Sequence, residues 1–588
     1  MCGIVACSSA GADVSQLVSS ALQKLEYRGY DSYGFGYLLA GAAGSSLASL
    51  RRLDPLTDMQ DLLPATPVAI GHTRWATHGA VVLENCHPHQ SPDGTFTLVH
   101  NGIVENYQLL AQQAGIDASE LLHSDTAVLT HRFSQLLQQT GDRRTALQTL
   151  LGLIEGRNTI VVLFEDGEIL GFRDGSPLVI GRSPGHVYMA SDVLAFGDWS
   201  DQSFAMENHQ IISIQGETVR LYDDRGALLV PDWQTVDARL TSESPDPGGY
   251  HMLQEIMVQW ETIPRQAQTD PDALARFISH LHSETTVIVT GAGGAYYAAR
   301  QICWMLRELA GIRAIEIPAY EIGVARQLVR PGDVLLAISQ SGETADTLDA
   351  IEAARSWGMT VACLVNMPLC SMSRLADHVF YNRCGPEICV LSTKSATAQI
   401  AFGYLLAQSY RGTAITGSMD LLSRELTRYL SDPTHDRIRR LAASLVKAEH
   451  LYILGAHENY GAALISALNI KEASYLHAEA FAAGELKHGV IALIEEETPV
   501  LVFVPGGDTW MLAVAAEVRA RGARVIGLAD DDNELFDDWL PLPATGGQRE
   551  LGAIANIIPC QLLAFELAVQ RGLNPDKPRN LAKSVTVR

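Results

Sequence analysis

Hydrophobic and polar positions follow two different patterns along the chain. In residues 1 to about 235 the apolar runs are short and β-like, broken by Gly, Asn and Asp. Thr95–His100 runs into Asn101-Gly102, a pair that predicts a turn, and Thr159–Phe164 runs into the turn former Glu165-Asp166-Gly167. Farther on, the compact apolar runs Thr286–Thr290 and Val334–Ile338 alternate with helical patterns, as buried parallel strands separated by helices do. The pattern recurs at Leu451–Leu454 and Val500–Val504. Between them, Arg239–Gly249 is polar and rich in Pro and Gly, the composition of a linker. The predicted organisation is a first domain at 2–238, a linker at 239–254, α/β domains of similar plan at 255–420 and 435–570, and a polar tail at 571–588.

Composition narrows the class. The 588 residues suit several domains, and 47% hydrophobic with 19% charged residues is ordinary for a globular enzyme. With 43 basic and 67 acidic residues the net charge is −24, which argues against nucleic acid or an anionic membrane as partner. Any anionic substrate is then held by local donors. Nine scattered cysteines form no C-x-x-C pair, which favours a reducing compartment. The stretch Met1–Cys7 lacks signal-peptide features, and no run reaches the roughly 18 apolar residues of a membrane span, so a cytoplasmic location is expected.

Candidate chemistry begins at Cys2. A lone cysteine after the initiator Met is usually just a small terminal residue. If Met1 is removed, however, the new amine lies beside the thiol and can serve as its base. Gly71–Gly79 places Arg74 among turn formers, where a guanidinium could pair with a carboxylate. Asn101 and Gly102 could supply oxyanion donors, and Asp125 in Ser124-Asp125-Thr126 suits an α-ammonium group. Cys86, His87 and His89 are spaced too tightly to share one ion, so neither a metal nor a cofactor is expected.

In the other half, Val334–Ile338 leads through Ser339-Gln340-Ser341-Gly342-Glu343-Thr344 into a helical stretch from Ala345. A strand, a hydroxyl-rich Gly turn and a helix N-terminus make an anion site. A simple cap is the bland alternative. Gly291-Ala292-Gly293-Gly294 lacks the spacing of a dinucleotide fingerprint.

Together these segments, with Leu25–Ser32, resemble the Ntn-type class II glutamine amidotransferase domain over roughly residues 2–235. The later half resembles two sugar isomerase (SIS) domains. Gly385–Ile388, Ser392–Lys394, His477–Gly489 and above all Pro578–Val587 extend the resemblance to the glucosamine-6-phosphate synthase (glutamine–fructose-6-phosphate aminotransferase) family. The resemblance implies an αββα sandwich followed by two doubly wound parallel-sheet domains. It implies Cys2 as nucleophile, Asn101 and Gly102 as oxyanion hole, and Arg74, Trp75, His78, His87 and Asp125 around glutamine. It implies Ser339, Gln340, Ser341, Thr344, Val390 and Ser392 around a sugar phosphate, Lys583 as Schiff-base amine and Glu472 as proton shuttle. His488, supplied by a neighbouring subunit of a homodimer, would assist ring opening, and Arg28 and Trp75 would flank an ammonia channel.

Departures from the family concern the acceptor. Gly294 and Ala295 stand where a Thr-Ser pair is usual, and Ile465 and Asn469 where Glu and Lys are usual; in the first domain Tyr33 also replaces a small residue, a change to which no function is attached. Positions 465, 469 and 472 share a helical face, so two opposing charges beside Glu472 are lost and the net effect on its proton affinity stays open. A paralogue aminating another phosphosugar, an aminosugar-phosphate deaminase or deglycase, and a non-catalytic sugar-phosphate sensor stand as alternatives.

Overall fold

A computed structural model describes residues 2–41, 44–53, 56, 62–75, 79–116, 124–235, 249–431 and 434–586. Most of the expected linker, and His78, lie outside the described residues.

The first half is a four-layer sandwich of two seven-stranded antiparallel sheets. Strand Gly3–Ser9 shows how strict alternation builds it. Ile4 and Ala6 face the second sheet and meet Val99, Val161 and Leu163 there. Val5 and Cys7 face outward and pack under Val18, Leu22 and Leu25, on and just after the helix Ser15–Lys24. On the far side, Phe96, Leu98, Ile160 and Val162 pack against the helices Asp125–Thr140 and Arg143–Leu151. One sequence expectation is corrected here. Asn101-Gly102 is not a turn: the strand Phe96–Gly102 continues through it, with Asn101 opposite Thr159 and Gly102 opposite Asn158. Cross-strand pairing overrides the local preference. Arg74 likewise ends a strand, Val68–Arg74, rather than lying within a turn.

The second half holds two five-stranded sheets, parallel throughout. In each, the first strand in sequence lies second in the sheet, so that the strand order reverses beside it. In such sheets the crevice at the carboxyl ends of those strands receives ligands. The strands Thr286–Gly291 and Val334–Ser339 are buried along their whole length, which explains their uninterrupted apolar runs. The segment Arg549–Gln570 is long and apolar enough to cross a membrane by composition, but 89% of that window is buried inside the protein, as a core helix is.

Polar contacts bind the halves together. Arg157 pairs with Asp349 at 2.5 Å and Lys577 with Glu26 at 2.8 Å. Arg173 is 2% exposed; it donates to Ser176 O, Met206 O and, across the junction, Ser371 Oγ. Ser371 Oγ in turn donates to Glu343 Oε2, inside the hydroxyl-rich turn. Replacing Arg173 with Ala strands these buried acceptors. It is expected to lower the stability of the junction by about 1–3 kcal/mol, measured by urea or thermal unfolding of the full chain.

Candidate active site

Cys2 enters the first sheet half-buried, held by atoms from three other segments. Trp75 N donates to its sulfur at 3.3 Å, Asn101 Nδ2 to its carbonyl at 3.0 Å, and Arg28 Nε to the same carbonyl at 3.4 Å. Burial raises the thiol above its usual range, while the Trp75 N–H and the Arg74 charge work against that rise. Arg28 is itself fixed by Asp192 at 2.8 Å, which also accepts from Tyr27 OH.

The orientation of the Asn101 amide is set from behind. Its Oδ1 lies 3.2 Å from His72 Nε2, and His100 O lies 3.1 Å from the same nitrogen. The His72 ring stacks at 4.1 Å on His87, whose Nδ1 accepts from His100 N. Burial lowers the pKa of His72, His87, His89 and His100, so this support is uncharged near neutral pH. Gly102 has φ 144°, and a Cβ there would lie 2.2 Å from Arg157 O; both facts require glycine. Asp125 opens its helix and accepts from Val104 N and Thr126 N, and Arg74 donates to Gly79 O and Ala80 O. The charges of Arg74 and Asp125 both act on the Cys2 thiol. Among the described residues no three His, Cys, Asp or Glu are placed to hold a metal ion.

The second cluster lies at the carboxyl end of strand Val334–Ser339. Ser339 Oγ is 3.0 Å from Thr344 Oγ1 and accepts from Gly342 N. Thr344 is the N-cap of helix Ala345–Ser356, so its first N–H groups face this turn. The end of the chain lies across it: Ser584 Oγ is 2.8 Å from Ser341 Oγ, and Val585 O accepts from Ala345 N. Lys583 Nζ donates to Glu387 Oε2 and, at 3.1 Å, to Leu391 O. Both charged side chains are buried, at 2% and 0% exposure. Burial alone would discharge Lys583, but Glu387 and Glu255 outweigh it and the amine stays above its usual pKa. Ser392 lies beside Gly294, the first residue of helix Gly294–Ala310, and Val390 is buried in the same loop. Glu472, on Glu458–Ser474, feels the Lys583 charge; burial pushes its carboxyl up to about 7. In this chain burial outweighs the Asn469 hydrogen bond and the Lys583 and Lys471 charges, which pull the other way.

His488 is exposed on the turn Ala483–His488. Sequence reasoning missed Glu387, although it sits in the quoted Gly385–Ile388 motif, and missed His72 and His100, which carry no motif of their own.

Fold and sites define the class: a double-SIS protein carrying an N-terminal αββα domain with a cysteine at position 2. The SIS family model matches residues 280–409 and 444–571. The chain belongs to the glutamine–fructose-6-phosphate aminotransferase (isomerizing) family. It is 34% identical to the member from Methanothermobacter thermautotrophicus over 608 residues and 35% identical to that from Pyrococcus horikoshii over 611, covering all of both chains in each case. The C-terminal domain of glucosamine-fructose-6-phosphate aminotransferase from Francisella tularensis matches with a TM-score of 0.50 at 26% identity, over 57% of this chain and 100% of that one.

Gly342 has φ 67°, and a Cβ there would lie 2.3 Å from Cys370 Sγ. Gly342→Ala is expected to cost about 1–3 kcal/mol and to distort the turn. It should weaken binding of inorganic phosphate by about tenfold, read by calorimetry.

Proposed function

We propose that the chain hydrolyses L-glutamine at Cys2 and passes the ammonia to fructose 6-phosphate, giving glucosamine 6-phosphate. The observation that carries this reading is the bridge between the two clusters. Tyr30 OH, a few residues beyond the Arg28 that touches Cys2, lies 2.7 Å from Pro578 O and 3.1 Å from Leu581 O. The lysine-bearing tail therefore abuts the thiol-bearing domain. Ammonia released at one need not cross bulk water, where it would be protonated and unreactive.

At the thiol end, removal of Met1 frees an amine to take the Cys2 proton. Asn101 Nδ2 and the Gly102 N–H stabilise the oxyanion, with the amide already held by His72. Arg74 and Asp125 take the carboxylate and ammonium of glutamine, with Trp75 and His87 beside them, and Arg28 and Trp75 face the channel. At the other end, Ser339, Gln340, Ser341 and Thr344 hold the phosphate by hydroxyls and helix N–H groups. This suits a chain of net charge −24, in which long-range attraction for an anion is absent. Val390 and Ser392 line the sugar. Glu387, in contact with Lys583, takes its proton so that the amine attacks the ketose carbonyl. Glu472 moves the proton between C1 and C2, and half-titration near neutrality suits that work. His488 reaches a neighbouring subunit's site, which makes the working form a homodimer. The division at 2–238, 255–420, 435–570 and 571–588, joined at 239–254, matches these tasks, in the cytoplasm.

A second reading of the acceptor rests on Gly294. A Cβ there would meet Ser392 Cβ at 3.5 Å, an ordinary contact, and φ is not positive. Neither packing nor backbone demands glycine, so the space beside Ser392 suits a different phosphosugar.

Cys2→Ala is expected to abolish glutamine-dependent synthesis while synthesis from added ammonia survives; an unchanged glutamine-dependent rate would refute the nucleophile. A product assay across ketose phosphates decides the acceptor: glutamine cleavage with no hexosamine phosphate from fructose 6-phosphate rejects it. Because Glu472 acts as base when ionised, kcat/KM for isomerisation should rise with pH through about 7 and level off above it. Glu472→Gln should remove both the rise and the isomerisation.

A further inference from the structure

Asn469 precedes Glu472 by three residues on the helix Glu458–Ser474, so the two side chains leave the same face one turn apart. Asn469 is 1% exposed, and its Oδ1 is sealed from water and meets no donor. Its hydrogen bond to Glu472 favours the ionised carboxyl, so Nδ2 is the atom that serves it. One end of a buried amide is therefore used and the other is idle. Charge reaches Glu472 from Lys471 beside it in the chain and from Lys583 on the tail, and Tyr297 faces it from the helix Gly294–Ala310.

A buried amide oxygen without a donor destabilises a fold. Glu472 supplies the missing donor whenever it is protonated. A half-turn of the amide about its Cβ–Cγ bond exchanges Nδ2 with Oδ1, and the oxygen then accepts from the acid O–H. The same side chain thus bonds the carboxylate as a donor and the acid as an acceptor. A lysine at this position, usual in the family, only donates and so favours the carboxylate; a leucine bonds neither form. Service to both forms suits a group that must gain a proton and give it back, and burial already brings this carboxyl up to about 7.

We propose that Asn469 is a positioning residue for the proton transfer: by turning its amide it holds the Glu472 carboxyl in one orientation in both protonation states. The inference rests on the assignment of Glu472 as proton shuttle. In the imine formed from the ketose and ammonia, Glu472 takes a proton from C1; the C1–H pair becomes the C1=C2 bond and the imine π pair moves to nitrogen. The C1=C2 pair then takes the proton back at C2, and the C1 hydroxyl gives its own proton to nitrogen as C1 becomes a carbonyl. Asn469 gains and loses no proton. Without its hold the carboxyl turns while it carries the proton, and delivery to C2 slows.

The test is the pH profile of amino-sugar phosphate formation by the full chain, run with the ketose phosphate that gives the most product. Binding of inorganic phosphate, read by calorimetry, reports that each variant is folded. Asn469→Leu, close in size, should lower kcat about tenfold with KM within about twofold of the unmodified protein. It should also move the midpoint of kcat/KM to higher pH by about one unit, because the bond that favours the carboxylate is gone. Asn469→Lys should move that midpoint to lower pH by about one unit, because a cation then stands one turn from Glu472. Unchanged kcat and midpoint in Asn469→Leu, or a midpoint that does not fall in Asn469→Lys, would overturn the role of Asn469. Absence of product from every ketose phosphate with the unmodified protein, or full-rate product from Glu472→Gln, would overturn the shuttle reading itself, and this inference with it.

Discussion

The Lys583 ammonium and the Glu387 carboxylate meet inside the protein, at 2% and 0% exposure, where either charge alone would be expelled. Each is tolerable because the other is present and because Glu387 is fed by Thr393, Ser395 and their N–H groups. The pair does more than close a gap. It draws the chain's last turn over the first SIS repeat, so that Ser584 reaches Ser341 and Val585 O reaches Ala345 N. Asp576, farther back on the same tail, accepts from the N–H groups of His251 and Met252 and so anchors the helix that carries Glu255. The Ser339–Thr344 turn, the Lys583 amine and the start of the double-SIS half are thus held by one segment of about ten residues.

The thiol end is built on the opposite principle. Around Asn101 the supporting groups are histidines that burial keeps uncharged, and they act through hydrogen bonds and stacking. An uncharged support orients the Asn101 amide without adding a charge beside the Cys2 thiol. Charge enters at Arg74, Asp125 and the Arg28–Asp192 pair. The two clusters share a boundary at Tyr30 and the tail; Arg173, through Ser371, ties the same sandwich to Glu343 of the hydroxyl-rich turn, and Arg157 ties it to Asp349 on the helix that follows.

What the sequence made legible follows from range. Period-two alternation in Gly3–Ser9 and solid apolar runs such as Val334–Ser339 are local signals, and the sheets formed where those signals stand. The Ser339–Thr344 turn was legible for the same reason: its chemistry lies within six consecutive residues. Asn101-Gly102 misled because the local preference for a turn is weaker than the ladder to Thr159 and Asn158, and that ladder is visible only in three dimensions. His72 and His100 were missed because each acts on a residue far away in sequence, through contacts no spacing encodes. Glu387 lay in a motif already noticed, but nothing local said that it would meet Lys583 across 196 positions.

Glu472 shows why such residues resist reading. From the sequence, one lost anion and one lost cation at Ile465 and Asn469 oppose each other, and the balance has no sign. Both positions are 1% exposed, on a helix face closed to water. Desolvation is then the leading cause of the shift, and it raises the carboxyl to about 7 even with Lys583 pulling the other way. The same term acts on Glu255, where a neighbouring anion reinforces it, and on Lys583, where two carboxyl groups overcome it. Burial depth is a property of the folded chain. It ranks first among the causes at all three groups, and only the number and sign of the partners decide which of them keeps its charge.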